Sequence, residues 1–205
     1  MNTHFVAASL AVAAALRAGD ARPAVTVRVV NEAGLDSRSL AQARKTVTRI
    51  FRDSGIDLVW MVCQDGPAVW GSSDPCHQGR GASEFWMNIT ASRPRQTSGE
   101  VLGFTVLDES GNGGSSGVYL PGVVELVTPA GARLGDILGA AMAHELGHLL
   151  LGADSHSLTG VMTPHWGRPE MERISIGELN FARYQAKLLR ERIERRTLSM
   201  AVGTR

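Results

Sequence analysis

Only two cysteines occur in the 205-residue chain, Cys63 and Cys76. They bound "CQDGPAVWGSSDPC", a stretch rich in Gly, Pro, Ser and Asp, and there is no CxxC pair, so a cysteine metal site is not expected. In an exported protein such a pair is most simply a disulfide, which would contribute about 3 kcal/mol in the chain-entropy model. Neither sign of charge is in excess, with 21 Lys+Arg against 20 Asp+Glu. Nucleic-acid and membrane-surface partners usually call for a strong basic excess, so neither is expected. The apolar run "FVAASLAVAAAL", Phe5 to Leu16, falls short of the ~20 residues that span a bilayer. It is followed by "AGDA", small residues suited to cleavage near Ala21. Residues 1–21 therefore read as a secretory signal peptide, although "MNTH" brings no Lys or Arg to its start. That leaves 22–205 as a single domain, and a 43% hydrophobic fraction is ordinary for a globular chain.

"AVTVRVVN", Ala24 to Asn31, alternates apolar and polar residues and predicts a strand. Asp36 or Ser37 can cap a helix whose Leu40, Ala43, Val47, Ile50 and Phe51 share one face, with Gly55 ending it. Further strands are expected at Ile56–Val62, Glu84–Thr90 and Val101–Leu107. "SGNGGSSG", Ser110 to Gly117, reads as a flexible turn. "VYLPGVVELV" reads as a strand broken by Pro121 and Gly122, hence an edge beside an open cleft where an extended substrate could pair. Leu134–Leu151 is the strongest helix, with Gly152 after it. Ile176–Arg196 is the expected last helix, with Leu179, Ala182, Ala186, Leu189 and Ile193 in one stripe.

The chemistry is concentrated in "HELGHLLLGADSH", His144 to His156. His144 and His148 lie four residues apart, on one face of a helix and about one turn apart. Two imidazoles so placed can share one Zn²⁺. Glu145, about 100° around the helix, can act as general base on a water. Two histidines and a glutamate inside an apolar helix are costly unless they have partners. The third ligand is less plain. Asp154 stands ten residues after His144, and His156 two residues later.

The segment resembles the metzincin clan of zinc endopeptidases, whose pattern is HExxHxxGxxH, or a terminal Asp in some members, followed by a methionine turn. "HELGH" matches, "SHS" (Ser155–Ser157) is similar to the segment holding the third His, and "GVMTP" (Gly160–Pro164) is similar to the methionine turn. Secreted bacterial proteins carrying "RIFRDSGIDLVW", a Cys pair and "HELGHLLLG…SHS…GVM" look alike as well. The resemblance implies an α+β fold. Its parts are a mixed twisted sheet with a backing helix, an active-site helix, a Met-turn containing Met162 and a C-terminal helix. It also implies Zn²⁺ held by His144, His148 and His156, Glu145 as catalytic base, and a peptide or protein substrate cleaved by a monomeric enzyme. The glycine falls one place late, at Gly152, so the chain must turn back across "ADS" to present His156.

Alternatives remain at this stage. Asp154 keeps the ten-residue offset. Glu178 on the last helix is the third ligand in a gluzincin-type reading. His165 can line the cleft, and His77 is given no role. A non-catalytic zinc-stabilised binding protein would not need Glu145, and a hydrolase of a non-peptide amide would use the same water chemistry.

Overall fold

The computed structural model describes residues 22–63, 76, 81, 83–95, 101–109 and 113–203. The expected signal segment, His77 and most of the cysteine loop lie outside the described residues. Strand β1 (Ala24–Asn31) turns Val25, Val27 and Val29 to the main core, and Val30 to a small cluster with Trp86, Cys63 and Cys76. Helix α1 (Ser37–Asp53) starts at Asp36, whose carboxylate accepts from the backbone N–H groups of Arg38 and Ser39. These are donors that a helix start leaves without intrahelical partners. Gly55, at φ 79°, turns the chain into β2 (Asp57–Cys63).

β3 (Glu84–Thr90), β4 (Gly103–Leu107) and β5 (Gly113–Tyr119) complete a five-stranded sheet in the order β2-β1-β3-β5-β4. All pairings are parallel except β4 with β5. The antiparallel strand β4 is thus an edge. Cys63 and Cys76 form a disulfide at the opposite, β2 end.

Two expectations are corrected here. Of the Gly/Ser run expected as a flexible turn, Gly113–Gly117 belongs to β5 and Ser115–Gly117 pair with strands on both sides, while residues 110–112 lie outside the described residues. A side chain at Gly113 would strike Leu149 and the Val106 carbonyl, and one at Gly117 would strike the Phe104 ring. Neighbours fill the space, so glycine suits the strand. "VYLPGVVELV" is not a broken edge strand either. It leaves β5 at Tyr119 and becomes helix α2 (Leu120–Ala130), with Pro121 in the first turn where a missing N–H is tolerated.

Helix α3 (Leu134–Leu151) runs beneath β4 and β5 and packs on α1. The two helices approach closely because Gly135 and Gly139 face α1, where a Cβ would meet the carbonyls of Ser39 and Ala43. Asp136, buried in the first turn of α3, accepts from Gln42, Thr46 and Arg133. It thereby ties the two helices together at the positive end of the α3 dipole.

The expected last helix is also corrected. Residues from Arg168 to Ile176 form a separate α4, closed by Gly177 at φ 77°. The C-terminal helix α5 runs Arg183–Gly203. Leu179 is buried ahead of α5, not on it, while Leu189 and Ile193 enter the same core as α1 and α3. Arg192 and Arg196 donate from α5 to the carbonyls of Leu150 and Leu149, which the end of α3 leaves open.

Candidate metal centre

Apart from Asp136 in its first turn, α3 is apolar except for His144, Glu145 and His148, the two histidines standing one turn apart and half-buried. Their Nε2 atoms are 3.0 Å apart. Helix α3 stops at Gly152, whose φ of 91° and ψ of 176° lie in a region open essentially to glycine alone. The chain then doubles back through Ala153–Ser155 and brings the exposed His156 over the other two rings. Ring centroids are 5.3 Å from His144 and 4.8 Å from His148. Ligand nitrogens of the three histidines lie within 4.8 Å of one another, and they are the one such group among the described residues.

The hydrogen bonds assign the tautomers. His144 Nδ1 lies 2.8 Å from the Val161 carbonyl, which only accepts, so Nδ1 carries the proton and Nε2 a lone pair. His148 Nδ1 lies 3.0 Å from Ser155 Oγ and 3.3 Å from the Gly152 carbonyl. Ser155 spends its own proton on the Gly152 carbonyl at 2.6 Å, so it too accepts from His148. Both Nε2 lone pairs therefore face each other with no proton between them. That arrangement is repulsive without a cation. Two nitrogens at about 2.0–2.1 Å from one tetrahedral Zn²⁺ stand about 3.3 Å apart, close to the spacing seen. The donor set fits zinc. Burial pushes the His144 imidazole down to about 4, helped by His148 and His156 and opposed by the bond to Val161. Burial also lowers His148, with the Gly152 carbonyl opposing. Both rings stay neutral, the state a metal needs.

Glu145 is buried, and burial raises its carboxyl to about 7, against the pull of a Thr105 hydroxyl 2.8 Å from Oε2. Thr105 sits in β4 beside Gly103. A Cβ on Gly103 would overlap the Glu145 side chain and the Gly117 carbonyl. The edge strand thus makes room for the carboxylate and holds it.

Beneath the rings, the Thr163 N–H closes a turn on the Gly160 carbonyl. Val161 and Met162 are fully buried. Met162 sulfur packs where a side chain on Gly147 would be, on the helix turn between the two histidines. Val161 donates its N–H to Asn180 and accepts from both His144 and Trp166.

A cleft of about 740 Å³ opens over this centre, between the β4 residues, Leu126 of α2 and Trp166. Glu145, the three histidines and His165 line it. Asp154 is exposed on the doubling-back turn and is not in the histidine group. Glu178 is exposed too and sits just past the end of α4, not on the last helix as expected, so the gluzincin-type arrangement is not formed. Thr105 and Ser155, which touch Glu145 and His148, carried no sequence signal, because their partners lie across a strand pairing and a turn.

No family model matches the chain, and no curated protein matches it. Solved structures do. Archaemetzincin from Methanopyrus kandleri is 13% identical with a TM-score of 0.53, covering 84% of this chain and 97% of its own. Metalloproteinase-II from Bacteroides fragilis is 13% identical with a TM-score of 0.52, covering 83% of this chain and 53% of its own. At that identity the likeness is one of fold. The chain shares the fold of these two structures, a mostly parallel twisted sheet with helices packed against it.

Proposed function

We propose that the protein is a zinc-dependent metallopeptidase that cleaves peptide bonds in the cleft over α3. The observation that carries this reading is three imidazole nitrogens converging within 4.8 Å, with the buried carboxyl of Glu145 beside them in the cleft. His144, His148 and His156 hold the metal, and bound zinc supplies the Lewis acidity that peptide hydrolysis needs. A carboxyl near 7 is matched to moving protons at neutral pH. Glu145 takes the proton of the attacking water and returns it to the leaving amine. Thr105 aims the carboxylate, and the Val161 and Gly152 carbonyls keep the protons of His144 and His148 on Nδ1. The free edge of β4 gives an extended peptide a strand to lie along.

A closed structural zinc site normally has four protein ligands. Here three histidines stand at the floor of a cleft, which favours an enzyme over a zinc-stabilised binding protein. The expected result for Glu145→Gln is full zinc content with peptidase activity lowered by 10²-fold or more. Undiminished activity removes Glu145 as base. His156→Ala should empty the site while Asp154→Ala leaves it filled. Metal loss in the Asp154 variant alone would reverse the ligand assignment.

Export after cleavage near Ala21 and a monomeric state belong to the same proposal. The disulfide supports export, and no described helix is long and apolar enough to cross a membrane. N-terminal sequencing and sedimentation of the mature protein test both.

A further inference from the structure

One buried polar side chain near the centre has no place in the chemistry above. Gln185, on the first turns of α5, is 1% exposed. Its Nε2 donates to the Ser155 carbonyl at 2.8 Å. Its Oε1 accepts from the Ala182 N–H at 3.3 Å and lies 3.3 Å from Ser157 Oγ, whose proton is shared with the Thr159 carbonyl. The amide orientation is fixed by these partners. Flipped, it would set NH₂ against an N–H donor and oxygen against a carbonyl.

Ser155 and Ser157 are the two neighbours of His156. His144 and His148 are carried by a helix packed into the core, whereas His156 is exposed on irregular chain. An imidazole on such a segment is a good ligand only if its backbone is held. The Ser157 N–H bond to the Met162 carbonyl at 3.0 Å holds one side, and Gln185 holds the other.

We propose that Gln185 is a positioning residue for the metal centre, a clamp from the C-terminal helix that sets where His156 stands. It is what makes the long connection after Gly152 workable. The clamp acts on His156 more than on His148, because His148 keeps its place on α3 and its Gly152 carbonyl partner without Ser155. This inference rests on His156 being a ligand.

The test is Zn²⁺ affinity by chelator competition, in wild type, Gln185→Leu, His156→Ala and the double variant. Gln185→Leu should weaken zinc about 10- to 100-fold, the usual range for residues that orient metal ligands. In the His156→Ala background the same change should weaken it no further. With Co²⁺ in place of zinc, the visible spectrum of Gln185→Leu should move toward that of His156→Ala. Unchanged affinity in Gln185→Leu, or losses that add in the double variant, overturns the clamp. Zinc retained in His156→Ala overturns the ligand assignment as well, so the two failures are distinct. Gln185→Met guards against a variant that does not fold, since it is uncharged and close to Gln in length. It loses both the donor to Ser155 and the acceptor for Ala182. With folding checked by metal-free melting, Gln185→Met should weaken zinc as Gln185→Leu does, and unchanged zinc binding in folded Gln185→Met also refutes the proposal.

Discussion

At the level of single side chains, Glu145 carries a consequence for stability. Its carboxyl lies near 7 in the fold against an ordinary 4.5. The folded state therefore holds that proton more tightly than the unfolded chain does. The stability this gives is complete below about pH 4.5 and is lost as pH rises through about 7. In the metal-free protein, Glu145→Gln should remove this loss. It should be the more stable of the two above pH 7, by up to about 3 kcal/mol, with the gap closing toward pH 4.5. Urea melts of the chelated proteins between pH 5 and 8 measure it, and parallel pH profiles would contradict it. That His144 and His148 stand together was legible in the sequence, because a helix turns a four-residue spacing into contact. The partners of these residues were not. Thr105 reaches Glu145 only because β4 lies over α3, and no local pattern records that.

Among the strands and helices, β4 shapes the site through an absence of side chain. Gly103→Ala should push β4 from β5 and displace the Glu145 carboxylate. A loss of 1–3 kcal/mol is expected from such overpacking. Activity should fall more steeply than zinc content, and a variant with wild-type turnover would show that the strand tolerates the methyl. The same crowding explains the misreading of β5. Its Gly113 and Gly117 are set by Leu149 and Phe104, residues from other elements, and local composition alone says turn. α2 was hidden by Pro121, which breaks a strand but suits the first turn of a helix. α4 did leave a signal. Pro169 falls in its first turn, the Glu170 carboxylate accepts from the Gly167 N–H at 3.0 Å, and Gly177 ends it. α1 and α3, by contrast, were read almost to the residue: α1 carries an apolar stripe between the Asp36 cap and Gly55, and α3 a long, mostly apolar run ended by Gly152.

Across the molecule, the disulfide and the metal centre sit at opposite ends of the sheet. β2, which carries Cys63, lies four strand spacings from β4, or ~19 Å. The disulfide joins residues 13 apart, for which loop closure gives about 3 kcal/mol. The Cys63→Ala/Cys76→Ala double variant should melt earlier by about that amount and bind zinc with unchanged stoichiometry. Loss of zinc at a temperature where the fold persists would mean that the two ends are coupled.

The guanidinium groups that close the end of α3 have a bearing on timing. Arg192 and Arg196 follow their carbonyl partners by 42 and 47 residues. At 5–20 residues per second, a ribosome delivers them about 2 to 9 s after the helix end they complete. Until they arrive, the last carbonyls of the histidine helix lack these partners, so the end of that helix is completed only by the C-terminal helix.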